Sequence, residues 1–157
     1  MCERLHAVHE RLREEGLSLA AGVSTLAAGP AELPRAYQEA RAALECVADR
    51  GSLAALPGLS PLAYLALHAG ETVRRLVDPR VRAFLAEDRV RGGRLRDTIR
   101  AIADSDLKLR PAAARLQIHP NTAQYRLRRV EERSGRNPRR VNDLIDLLVA
   151  MALEESL

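Results

Sequence analysis

The stretch from Arg110 to Gly135, RPAAARLQIHPNTAQYRLRRVEERSG, leaves the chain little freedom of fold. Pro111 and Pro120 each suit the first turn of a helix, where the missing N–H costs nothing, and Gly135 suits the left-handed residue that ends one. Two short helices joined by so tight a junction form a helix-turn-helix pattern. The small side chains of Ala112, Ala113 and Ala114 let the first helix lie close against the second, and Ile118, just before the turn, can plug the space between them. Projected at about 100° per residue, Ala123, Leu127 and Val130 fall on one stripe of the second helix and are expected to be buried. The opposite face collects Asn121, Thr122, Tyr125, Arg126, Arg129 and Arg133, with Arg128 on its flank.

The charge of the chain sits in this region. Residues 110–140 hold nine arginines against Glu131 and Glu132, a local charge of +7 in a chain whose net charge is +4. A GC-rich genome alone would favour arginine over lysine, but it does not explain this placement. So focused a patch favours a polyanion as partner. The core must be aliphatic, because Trp is absent and only three Tyr and one Phe are present, which suits packed helices. The same scarcity of aromatic rings disfavours RNA, whose unpaired bases are held by stacking.

Other chemistries find little support. Cys2 and Cys46 make neither a disulfide framework nor a metal-ligand cluster. His6 and His9 share a helix face but have no Cys partner or acid triad beside them, and His119 at the turn reads as a cap or packing group rather than a base. A phosphate-binding glycine loop is missing, and RGG at 91–93 is too weak a signal to stand for one. No metal, cofactor or enzymatic activity is expected. No apolar run approaches the ~18 residues of a membrane span, and the charged N-terminal stretch MCERLHAVHERLREEG lacks the apolar centre of a signal peptide. A cytoplasmic protein without membrane association is expected.

Upstream, hydrophobic periodicity predicts a helix over 3–15 with Leu5, Val8 and Leu12 on one face, stopped by Gly16. LSLAAGVS, 17–24, reads as a strand, which needs a partner strand from this chain or another. A helix is predicted from Pro34 to about Asp49, with Gly51 after its end, then a linker at 56–61. Ser60-Pro61 starts a short helix through about His68, and Ala69-Gly70 breaks it. ETVRRLV follows, and Asp78-Pro79 opens another helix. From Arg94 the periodicity places Leu95, Ile99 and Ile102 inward. The last helix, through Ser156, carries Val141, Leu144, Ile145, Leu148, Met151 and Ala152 on an apolar face.

The segment LRDTIRAIADSDLKLRPAAARLQIHPNTAQYRLRRVEERSGRNPRRVNDLIDLLVAMAL resembles the C-terminal helix-turn-helix of the PucR/CdaR family of bacterial transcription regulators. The resemblance rests on Ala113, Leu116, His119, Asn121, Thr122, Tyr125, Arg126, Leu127 and Gly135. Two positions depart from it: Pro120 stands where a basic residue is frequent, and Arg110 where a Ser or Thr cap is usual. LAAGVS and YQEARAAL, within 19–44, are similar to the last strand and helix of the family's degenerate GGDEF-like domain. The front half of such a domain is not in the chain, so the expectation is either a fragment or a shortened member.

The expected architecture is mainly α, a helix-turn-helix DNA-binding domain at 94–157 preceded by a small α+β GGDEF-like remnant at 1–58 and linking helices at 59–93. The expected activity is sequence-specific binding of double-stranded DNA by a homodimer whose effector the residues do not name. Asn121, Thr122, Gln124, Tyr125, Arg126, Arg128, Arg129 and Arg133 are the expected contact residues. The face of the second helix would read bases, and Arg128, Arg136, Arg139 and Arg140 would grip phosphates. The alternative is a regulatory dimerisation or protein-interaction module in which DNA binding is vestigial. Exposure of Thr122, Tyr125 and Arg129 separates the two.

Overall fold

A computed structural model of the chain describes residues 2–47 and 52–155. The chain divides into two compact units, Met1–Leu67 and His68–Leu157.

The first unit holds α1 (Cys2–Glu14), β1 (Ala21–Val23), α2 (Leu33–Glu45), β2 (Leu53–Ala55) and α3 (Pro61–Leu67). The expected strand forms only over Ala21–Val23, and its partner is β2, paired in parallel with Ala21 opposite Leu53 and Val23 opposite Ala55. The partner comes from this chain, and the pair with its connecting helix is a β–α–β unit. Gly22 is what lets α2 lie on the sheet. A Cβ there would stand 2.0 Å from the Ala40 carbonyl oxygen and 2.6 Å from the Leu44 nitrogen. The opposing helix face is correspondingly small, with Ala36 and Ala43 buried. Glu39 fastens α2 to the loop after β1, accepting from the Thr25 hydroxyl and N–H at 2.5 and 2.9 Å. These bonds, above all the hydroxyl's, with the Arg35 guanidinium alongside, hold its carboxyl below the usual range. The helix predicted to Asp49 ends at Glu45, where the Cys46 N–H turns back to the Ala43 carbonyl at 3.2 Å. Ala48–Gly51, which include the predicted end and its stop, lie outside the described residues. Leu5 and Val8 do share a face, but that face is exposed.

The second unit holds α4 (Glu71–Leu76), α5 (Pro79–Val90), α6 (Arg94–Ala103), α7 (Leu109–Arg115), α8 (Pro120–Ser134) and α9 (Val141–Glu155). One core joins α5 to α9: Val81, Phe84 and Leu85 from α5, Ile99 and Ile102 from α6, Ala112 from α7, Leu127 and Val130 from α8, and Leu144, Leu147, Ala150 and Met151 from α9. The apolar face predicted for α9 is only partly the buried one. Leu147, Ala150 and Leu153 are buried, whereas Val141 and Ile145 stand exposed. The helix is apolar over most of its circumference, so α5 and α6, which it packs against, decide which face turns inward. Ser156, the predicted end of this helix, lies outside the described residues.

Buried polar groups fix how the helices meet. Asp88, 3% exposed, accepts from the Leu95 and Arg96 N–H groups at 3.2 and 2.9 Å, so α5 caps the start of α6. Without it two N–H donors at a helix start lose their partner. Asp88→Ala is expected to cost about 1–3 kcal/mol, read as a lower urea midpoint at constant slope. An unchanged midpoint would show that the cap contributes nothing. At the same end of α6, the Arg96 side chain pairs with Glu154 at 2.5 Å and Glu155 at 2.9 Å and so ties α6 to the last turn of α9. Among the described residues no helix is long and apolar enough to cross a membrane.

Candidate nucleic-acid interface

The junction between α7 and α8 is built by the backbone. Gln117 adopts a positive φ of 54°. The N–H groups of Gln117 and Ile118 then reach back to the carbonyls of Ala114 and Ala113, both at 3.0 Å, a Schellman ending for α7. The chain re-enters a helix at once: His119 Nδ1 accepts from the Asn121 N–H at 3.2 Å, the capping role expected of it, with Pro120 at the first helical position. Arg110 is not a cap. Lys108 precedes α7, without a side-chain cap bond, and Arg110 lies within the helix. Ala112 and Ala113 are buried as expected and Ala114 is exposed.

The helical projection of α8 is reproduced. Ala123 and Val130 are fully buried and Leu127 is 4% exposed. Asn121, Thr122, Gln124, Tyr125 and Arg128 are exposed, Tyr125 by 61%, and Arg126 and Arg129 are half-exposed. One continuous surface thus carries two amides, a hydroxyl, a phenol and three guanidinium groups.

Ion pairing sorts the arginines in a way the sequence did not disclose. Arg129 pairs with Glu132 along its own helix at 3.1 Å. Arg133 reaches Glu87 on α5 at 3.3 Å, and Arg136 is held by Asp146 at 3.1 Å and Asp78 at 3.6 Å. Arg115 pairs with Asp104. Arg110, Arg126, Arg128, Arg139 and Arg140 have no acidic partner within 4 Å among the described residues. The expected contact residues are therefore not equally free: Arg133 is engaged with α5, and Arg136, expected to grip a phosphate, is engaged on both sides.

Two further features of the surface escaped sequence reasoning. Arg80, on α5, donates to the carbonyls of Glu132 and Arg133 at 2.9 and 3.2 Å. A cation so placed satisfies the last carbonyls of α8 and suits the negative end of its dipole. Gly135 closes the helix with φ of 71°, and a Cβ there would meet the Arg80 guanidinium at 3.1 Å. The second feature is Asn137. Its side chain donates to Glu131 at 3.0 Å and accepts from the Arg139 N–H at 2.9 Å, and its own N–H bonds to Asp143 at 3.0 Å. The loop after α8 is locked so that Arg139 lines one shallow groove, about 200 Å³, together with Gln124, Leu127, Arg128 and Glu131. An Asn before a Pro, followed by two arginines, was the only sequence hint.

The family model described as the PucR C-terminal helix-turn-helix domain matches residues 95–153, and that of the GGDEF-like domain matches residues 2–46. No curated protein matches the chain. Among solved structures, that of a regulator of polyketide synthase expression from Bifidobacterium adolescentis is similar over 81% of this chain and 52% of that one, at 24% identity and a TM-score of 0.46. This chain thus spans about half the length of that protein. The chain thus carries a PucR-type C-terminal helix-turn-helix domain at residues 95–153, preceded by a GGDEF-like segment at residues 2–46.

Proposed function

We propose that the chain binds double-stranded DNA with sequence preference, as a cytoplasmic homodimeric regulator, and that α8 is the helix that enters the major groove. The observation that carries this is the open face of α8: Thr122 and Tyr125 are exposed and Arg129 is half-exposed, in a segment of +7 charge. A protein-interaction module with vestigial DNA binding would bury that face in a dimer interface. On this reading Asn121, Thr122, Gln124, Tyr125, Arg126 and Arg129 meet bases near the start and middle of the helix, where a recognition helix presents its side chains. Arg128 and Arg139, which share a groove beside Gln124, hold the phosphate strand, and Arg140 extends the same grip. Arg133 joins them only by leaving Glu87. The DNA-binding part includes α5, whose Phe84 and Leu85 complete its core. The boundary in sequence then falls near residue 67, with α3 before it and α4 and α5 after it. No catalytic step is assigned on either side of it.

The test is a binding-site selection on the whole chain and its variants. Arg126→Ala and Arg129→Ala are expected to relax the selected sequence, each losing about 1–3 kcal/mol of discrimination at one position. Arg139→Ala is expected to weaken all sequences alike. If the Arg126 and Arg129 variants select the wild-type sequence with merely lower affinity, this face does not read bases.

A further inference from the structure

We propose that Glu87, on α5, is an autoinhibitory latch: it withholds Arg133 from the duplex and so keeps the DNA affinity of α8 below what its arginines allow. The inference rests on the DNA-binding reading above, and it adds to it a regulating residue that lies outside the helix-turn-helix.

Thr122, Arg126, Arg129 and Arg133 follow one another on α8 at spacings of four, three and four residues, so they stand in one column along the helix. Arg133 lies about 6 Å beyond Arg129 along the axis, where α8 meets α5. Its Nη1 is 3.3 Å from Glu87 Oε2, and its side chain is only 22% exposed. A phosphate contact releases a counterion when a free cation makes it. Arg133, held against a carboxylate of its own chain, is not such a cation.

The contacts around the pair let it open at little cost. The second carboxylate oxygen of Glu87 is held by Arg91 at 2.7 Å. When Arg133 leaves, Glu87 keeps a cation beside it, and no bare carboxylate is left behind. The backbone of Arg133 is held independently, because Arg80 donates to its carbonyl and to that of Glu132. Opening is therefore a change of side-chain rotamer on a fixed helix end rather than a movement of α8. Arg136 differs: it lies between Asp146 at 3.1 Å and Asp78 at 3.6 Å, so the loss of one acid does not free it. Glu87 is 46% exposed, and a pair so open to solvent shifts an equilibrium by about fivefold at most. The latch thus weakens binding without abolishing it.

The affinity of the whole chain for a duplex, measured against salt, tests this in wild type, Glu87→Gln, Arg133→Gln and the double variant. Glu71→Gln serves as control, since it removes the same charge from another exposed pair, with Arg75 on α4. Glu87→Gln should bind about two- to fivefold tighter, with a salt slope steeper by about 0.9, the mark of one more phosphate neutralised. In the Arg133→Gln background the same substitution should leave the slope where it was, the coupling that a double-mutant cycle isolates. Glu71→Gln should keep the wild-type slope. A wild type that binds while Glu87→Gln shares its slope overturns the latch alone. So does a steeper slope that persists without Arg133, which would be plain relief of repulsion. Absence of duplex binding in all five proteins sinks the DNA reading, and the latch with it.

Discussion

Leu127→Ala is expected to lower the stability of the helix-turn-helix unit by about 2–5 kcal/mol. Leu127 is 4% exposed and packs in the core with Ile99, Ile102 and Val130. It is flanked in sequence by Arg126 and Arg128, which point away, so the substitution removes core volume and leaves every arginine in place. The loss combines the transfer of the missing methyl and methylene groups with the cavity left among neighbours that relax only in part. Thermal unfolding followed by circular dichroism reads it directly. Tyr125→Ala, two residues away but 61% exposed, should change stability by no more than about 0.5 kcal/mol. If the two variants melt alike, α8 presents its faces the other way round, and every assignment of contact residues fails with it.

The second large effect is that of salt on DNA affinity. Five of the nine arginines between residues 110 and 140 have no acidic partner among the described residues. If four of them neutralise phosphates, log affinity falls with log salt at a slope near −3.6, and affinity drops roughly 150-fold between 50 and 200 mM. The arginines already paired with protein carboxylates contribute less to this slope, because they must first give up Glu87, Asp146 or Asp104. The slope therefore reports free guanidinium groups rather than the arginine count, and nine full contacts would give a slope near −8.

What could be read from residues alone was what local chemistry decides. The start, stop and buried stripe of α8 were legible, because Pro120, Gly135 and a 3.6-residue period all speak for the same helix. His119 was legible as a cap or packing group at the turn, and its bond to the Asn121 N–H makes it a cap. The face of α9 was not legible: the helix is apolar on more than one side, and only the packing of α5 and α6 selects Leu147 and Ala150 over Val141 and Ile145. The strand β2 escaped because Leu53–Ala55 is mostly alanine, a poor strand former, and runs straight into Leu-Pro-Gly. Its pairing comes from β1, thirty or so residues earlier. The part of α5 in the interface was hidden for the same reason. Asp88, Glu87 and Arg80 look like ordinary surface charges until the fold brings them to the start of α6 and the end of α8. Long-range partners also decide which arginines are free, so charge density located the surface but not its working members.

The most direct test of the account is the affinity of the whole chain for a duplex as a function of salt, measured for wild type, Arg128→Ala, Arg139→Ala and, as a control, Arg41→Ala, whose residue pairs with Glu45 in the other unit. The account predicts a steep wild-type slope, a slope shallower by about 0.9 in each of the first two variants, and no change in the control. Absence of binding at low salt, or the same slope in all four proteins, would contradict it.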